Sequence, residues 1–410
     1  MTAKTNIKVT LTSEIRLEQA LNNAGIDDPG TVTGLHITGI ITYDDTRYIR
    51  KNMSYNLQEL DMGNASFKEN KILDDAFVDC FGLTSMYKEN KIPKCAFYSC
   101  SGLNSVTIPD SVTEIGENAF EDCFNLISIN IPASVKKIEK KAFLRCYALI
   151  SITIPNSVTE IAESTFRQCS GLTSITIPAS IKKIGKEAFC SCSGLNSITI
   201  PYSVKEIGSY AFFSCSNLTS ITIPASVIEI SETVFNGCNS LIAIFVHPDN
   251  PNYSSQDGVL FNKDKTNLLC YPGDRQGDYI IPDSVIEIEK YAFCDSSLTS
   301  VIIPNSVIKI GMGAFYSCHD LTFVAIPNSG TEIGYEVFCL CSYLTSITIP
   351  DSVTKIGEEA FSYCGLTAIN IPASVLYIGK DAFENCPAFI TVHPDNPVYK
   401  SENGKIKMKK

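Results

Sequence analysis

Leucine returns every 23 residues from Leu103 to Leu241, and each time it opens nearly the same phrase. Residues 172–178 read Leu-Thr-Ser-Ile-Thr-Ile-Pro, and residues 195–201 read Leu-Asn-Ser-Ile-Thr-Ile-Pro. Ser-Val/Ile-x-x-Ile-Gly follows, and then Ala-Phe-x-x-Cys. A chain written on one short period folds as a stack of equal units, each touching only its neighbours. Such a stack escapes the size limit of a single core, so 410 residues predict one elongated solenoid rather than several globules. Repetition also leaves little sequence for a unique cluster of reactive groups.

One unit is legible from its periodicity. Ile175 and Ile177 alternate with Ser174 and Thr176, the pattern of a half-buried strand, and Pro178 ends it. Ile181 and Ile184 turn inward, with Lys182 and Lys183 in solvent. Gly185 permits a bend, residues 186–189 read as a single helical turn inserting Ala188 and Phe189, and Cys192 closes the circuit. Strands repeated with one direction of travel make a parallel sheet with right-handed crossovers. The bulkier helical turns belong on the convex side and the sheet on the concave side. About 14 rungs at about 4.8 Å predict a sheet about 70 Å long.

The pattern Leu-x-x-Ile-x-Ile-Pro, then Ser-Val-x-x-Ile-Gly-x-x-Ala-Phe-x-x-Cys, runs from Leu103 to Cys238 and from Val285 to Cys386. It resembles the BspA-type leucine-rich repeat. The resemblance implies a surface or secreted protein of anaerobic bacteria or mucosal protozoa, adhering to host matrix proteins or cells, without catalysis. It assigns no functional residue, because the matching positions are structural ones.

The period breaks in two places. Residues 1–56 read as an α/β cap covering the open end of the stack: a strand at 7–11, a helix at 13–24 with Ser13 as its N-cap, a strand at 34–41 and a short helix at 44–52. Repeats then occupy 57–245 and 282–392. Between them lies an island, 246–281, with a hairpin whose two apolar runs join through the polar 262–266 loop. Its opening, Val246-His-Pro-Asp-Asn-Pro-Asn-Tyr253, recurs as Val392-His-Pro-Asp-Asn-Pro-Val-Tyr399 in a cap-like segment, 393–410, that ends in a basic tail. One phrase serving twice fits a modular cap or spacer better than a catalytic loop.

Of the 17 cysteines, twelve hold one position: Cys80, Cys100, Cys123, Cys146, Cys169, Cys192, Cys215, Cys238, Cys318, Cys341, Cys364 and Cys386. Stacked rungs point their Cβ vectors in parallel, so this ladder is expected as free, buried thiols. The off-ladder Cys190, Cys294 and Cys339 stand too far apart to bridge. So many free thiols suit a cytosol or an anaerobic habitat.

Candidate chemistry is sparse. His247 and His393 occupy the duplicated phrase without an accompanying nucleophile, and they read as turn residues. No zinc pairing, phosphate loop or hydrolase elbow is present, and Asp249 and Asp395 offer too few oxygens for calcium. No enzyme activity, metal or cofactor is expected. A net charge of −11 argues against nucleic acid. No apolar run nears the roughly 20 residues of a membrane span. The opening residues lack a secretory signal, so the chain reads either as cytoplasmic or as a surface or secreted protein whose signal is missing from this sequence.

The concave sheet is where repeat proteins commonly bind. One column on it runs Ser105, Ser128, Ser151, Ser174, Ser197, Ser220, and the other includes Thr153, Thr176, Thr199 and Thr222. Beside the island the columns turn apolar, with Ala243 and Phe245, Ile302, and Phe323 and Ala325. Exposed, these residues form a partner site; because the change coincides with the insertion, the island hairpin is expected to cover them. The candidate binding residues are Phe245, Ile302, Phe323, Ala325 and Tyr253, with Thr153, Thr176, Thr199 and Thr222. The expected function is a monomeric adhesin-like module that binds a protein or glycan. An intracellular scaffold is the alternative, and an enzyme would need a convergent polar cluster the sequence lacks.

Overall fold

The computed structural model describes residues 6–57, 59–67, 85–86, 91–108 and 110–409, and divides into two compact units, Met1–Cys215 and Ser216–Lys410. Both are parallel β-solenoid, and the chain makes about 13 turns.

The first unit opens with β1 (Asn6–Leu11), α1 (Leu17–Asn23), β2 (Gly34–Ile41), α2 (Tyr43–Asn52) and β3 (Glu59–Phe67). The three strands pair in parallel, and β3 passes the sheet to Ser85–Met86, which lies beside the strand Ser105–Thr107. Helix α1 is shorter than expected, and Ser13 does not cap it. The Thr12 hydroxyl accepts the N–H groups of Glu14 and Ile15, holding residues 12–15 in a turn. The buried Asp45 replaces Ser13. Its carboxylate accepts the N–H of Leu17 at 2.8 Å and that of Thr42 at 2.8 Å, and pairs with Arg16 at 3.0 Å. One side chain from α2 thus starts both helices, a long-range cap that no local motif announces.

The rungs repeat one hydrogen-bond scheme. Ser151–Thr153 pairs in register with Ser174–Thr176, and the two-residue strand Glu160–Ile161 pairs with Lys183–Ile184. In the second row Lys and Glu alternate between neighbouring rungs, giving Lys91–Glu114 and Lys183–Glu206 ion pairs at 2.7 Å each. Gly185 is needed for close approach rather than for a bend. A Cβ there would stand 2.9 Å from backbone atoms of residues 161–163 in the rung before.

The segment expected as a helical turn is not helical. Ala188, Cys190 and Cys192 donate their N–H groups three residues back, to Gly185, Glu187 and Phe189. The residues between them, Glu187, Phe189 and Ser191, donate instead to the next rung, at 2.9, 2.8 and 2.7 Å. Alternation requires left-handed backbone at Glu187 (φ 55°) and Ser191 (φ 59°), and the pair recurs at Lys141 and Arg145, and at Tyr210 and Ser214. Each such residue costs about 1–3 kcal/mol. The inter-rung bonds return about 1 kcal/mol apiece, and burial of the intervening Phe adds about 1.5–3 kcal/mol.

These Phe side chains stack within each unit. In the first unit Phe120, Phe143, Phe166 and Phe189 are fully buried with ring centroids 5.4–5.6 Å apart. In the second, Phe293, Phe315, Phe338 and Phe361 continue the pattern, and Tyr271 takes the Phe position at 4.9 Å from Phe293. The cysteine ladder is hydrogen-bonded as well as buried. Cys146, Cys169 and Cys192 each donate Sγ–H to the Phe carbonyl of the preceding rung, at 3.1, 3.1 and 3.0 Å. The sixteen described cysteines are free, and Cys80 lies outside the described residues.

In the second unit the segment 246–281 separates into an insertion and a rung. Tyr253–Gln256, Val259–Asn262 and Asn267–Cys270 form an antiparallel meander, so an additional hairpin precedes the expected one. Asn267–Leu268 also pairs in parallel with Glu287–Ile288, and Gly277–Ile280 with Leu298–Ile302, which resumes the solenoid. The basic tail expected near the end is likewise a strand, Lys405–Met408, paired antiparallel with Tyr399–Glu402. Buried Val259 and Phe261 of the inner copy correspond to exposed Lys405 and Lys407. The same hairpin therefore presents an apolar surface where rungs follow and a charged one in its second copy.

Candidate binding face

The strand face is set by alternation. In Ser151–Thr153 the central Ile152 is buried while Ser151 and Thr153 are exposed, and Thr176, Thr199 and Thr222 are exposed likewise. Residues 197–200 carry no ladder strand, so Thr199 stands beside the sheet pattern rather than within it. In the rungs from 103 to 215 this face presents short hydroxyls and an amide.

The second unit differs. Phe245 and Phe323 are each 51% exposed, Ile302 is 46% exposed and Ile280 68%. The island hairpin does not cover them. Its turn meets the edge of the strand Ala243–Val246 instead, where Ile244 donates its N–H to the Gly258 carbonyl at 2.8 Å. An edge-on insertion extends the backbone ladder and leaves the outward columns bare, so the expected covering is corrected. Register joins three of the apolar residues into one patch. Ile280 pairs with Ile302, Ile302 with Ala325, and Phe323 lies opposite Ser300. Phe245 stands on the far side of the insertion, in the rung paired with Ser220–Ile223. Ile280 lies in the rung 267–281, which the broken period places in the island and which the strand pairing returns to the solenoid.

Tyr253 does not join this face. Its ring is half-buried and its hydroxyl accepts the Ile230 N–H at 2.8 Å. Burial pushes its ionisation above the usual tyrosine range, against the opposing effect of that hydrogen bond.

The duplicated phrase proves to be a clasp. Asn250, fully buried, donates Nδ2–H to the carbonyls of Pro224 and Val227, and its Oδ1 accepts the N–H groups of Asn252 and Tyr253. Asn396 repeats this on Pro372, Val375, Val398 and Tyr399. In both copies the histidine accepts a backbone N–H at Nδ1, from Asp249 or Asp395, at 3.2 Å. These histidines hold a turn. Among the described residues no three His, Cys, Asp or Glu side chains are grouped to hold a metal, and no helix is long and apolar enough to cross a membrane.

A family model of the BspA type leucine rich repeat region matches residues 70–193, 160–263 and 270–390, with six copies. The chain belongs to the BspA-type leucine-rich repeat family. Among solved structures it is similar to a leucine rich cell surface protein from Faecalibacterium prausnitzii A2-165, with 37% identity over 76% of this chain and 85% of that one and a TM-score of 0.68. A leucine-rich repeat protein from Bacteroides ovatus ATCC 8483 matches at 27% identity over 81% of each chain, with a TM-score of 0.52. The pneumococcal vaccine antigen PcpA shares the fold, at 19% identity over 97% of this chain and 80% of its own, with a TM-score of 0.50. A comparison with curated proteins finds no match. This BspA-type chain is thus a leucine-rich repeat protein similar to a bacterial cell surface protein.

Proposed function

We propose that the protein is a surface-displayed or secreted interaction module that binds a protein partner through the strand face of its second unit. The observation that carries this reading is the patch of exposed Ile280, Ile302 and Phe323 with half-buried Ala325. The first unit's strand face presents hydroxyls and an amide, while the second unit's face carries exposed Phe245 and Phe389 besides this patch. Exposed aromatic and aliphatic side chains on a rigid sheet are the usual anchors of an interface. Thr222 belongs to the same unit as this patch, whereas Thr153, Thr176 and Thr199 line the first unit's own strand face and take no part in the proposed contact. The similarity to a Faecalibacterium cell surface protein supports display at a surface. Adhesion to host matrix or to other cells is the activity we propose for it.

The test replaces Phe323 and Ile302 with Ser together and measures binding to immobilised matrix proteins and to partner cells, with circular dichroism confirming the fold. Loss of one interface aromatic weakens binding about tenfold or more. Undiminished binding by the folded double variant overturns the reading.

A further inference from the structure

Across the rungs from 103 to 392, the two outward columns of the strand face contain one charged side chain, Asp278. It is exposed and sits two residues before Ile280, on the same side of the strand Gly277–Ile280. A register shift between Gly277 and Asp278 sets two residues of the neighbouring strand, Thr299 and Ser300, against it. A bulge of this kind re-aims side chains locally. Its consequence here is that two hydroxyls converge on one oxygen. Ser300 donates to Asp278 Oδ1 at 2.6 Å and Thr299 donates to the same atom at 3.2 Å. Among the described residues Oδ2 accepts no hydrogen bond and Asp278 forms no ion pair. The cation nearest in sequence, Arg275, donates to the Asp257 carbonyl and lies over the rings of Tyr271 and Tyr279 at 6.0 and 5.8 Å.

We infer that Asp278 is the specificity element of the binding face and selects a partner segment with a lysine or arginine beside an aliphatic residue. This rests on the proposed binding role of the patch. A lone carboxylate on a face without other charge opposes acidic partners strongly and neutral ones weakly, which is how electrostatics set specificity. Held at Oδ1, it loses little side-chain freedom when Oδ2 takes a cation. Asp278 and Ile280 are spaced as residues i and i+2 of a strand, about 6.7 Å apart. An extended partner segment matches that spacing with a basic residue two positions from an aliphatic one.

The experiment uses the full chain and an array of short Ser/Gly peptides. Each carries one Leu and, two positions before it, Arg, Lys, Gln or Glu. The expected result is retention of the Arg and Lys peptides over Gln, with Glu excluded. In Asp278→Asn, which keeps the hydrogen-bonding shape, Arg and Lys retention falls about tenfold to the Gln level. In Phe323→Ser, retention falls for every peptide alike. If Phe323→Ser lowers retention while Asp278→Asn leaves the Arg-to-Glu preference intact, the cation assignment fails and the patch stands. If Phe323→Ser changes nothing, the binding face itself fails. An array on which no peptide is retained also counts against the assignment.

Discussion

Replacing Asn250 with Ala tests whether the duplicated phrase is held by its asparagine or by its histidine. The side chain makes four hydrogen bonds: to the carbonyls of Pro224 and Val227 at 2.9 Å each, and from Asn252 and Tyr253 at 2.9 and 2.8 Å. Each contributes about 1 kcal/mol net, and buried groups left without partners lose more than groups that can reach water. The Pro224 carbonyl keeps the Val227 N–H at 3.2 Å, which offsets part of the loss. The expected destabilisation is therefore about 3 kcal/mol rather than the full four-bond sum. His247→Ala removes the 3.2 Å bond from the Asp249 N–H at a partly exposed turn, and its expected cost is smaller than that of Asn250→Ala. Urea unfolding followed by circular dichroism reads both. A cost below about 1 kcal/mol for Asn250→Ala, or an equal cost for the two variants, refutes the clasp.

Two further outcomes follow from the rung geometry. Ser214 holds a left-handed position at φ 55°, where the next rung carries Gly237 at φ 72°. Ser214→Gly relieves that strain by more than glycine loses in chain entropy, so the thermal midpoint rises, by about 0.5–1 kcal/mol of stability; a lowered midpoint contradicts the left-handed account. Burial raises the thiols of Cys123, Cys146 and Cys169 well above the ordinary cysteine range. The unfolded chain therefore releases these protons first, and stability is full below about pH 8.5. Above it, each thiol loses about 1.4 kcal/mol per pH unit. Urea midpoints that stay level from pH 8 to pH 10 contradict the buried ladder.

Much of the fold was legible because burial imposes a period. Ile152, Ile175, Phe166 and Cys169 recur at 23-residue spacing, and their inward positions follow from that alone. The alternating Lys and Glu of the second strand row were equally visible, at Lys91, Glu114, Lys137, Glu160 and Lys183. The left-handed backbone was not. It falls on Lys141, Arg145, Glu187 and Tyr210, residue types with no preference for that conformation, because inter-rung hydrogen bonds impose it from outside the local sequence. Ser13 is no guide to the helix cap for a similar reason, since Asp45 acts from another helix. At the binding face the apolar change was visible, but whether a hairpin lies over a sheet or against its edge depends on one backbone bond, Ile244 to Gly258. The Asp257-Gly258 pair is itself a strong hairpin signal, and with Asn403-Gly404 it marked both additional turns.

The most direct measurement places one lysine on each unit's strand face and compares binding to partner cells and matrix proteins. Ile302→Lys puts a charge into the apolar patch, and Thr153→Lys puts the same charge among the exposed hydroxyls of the first unit. Both sites are outward, so both variants fold. The account predicts that Ile302→Lys abolishes binding while Thr153→Lys leaves it near the wild-type level. Equal loss in both, or loss only in Thr153→Lys, contradicts the assignment of binding to the second unit's face.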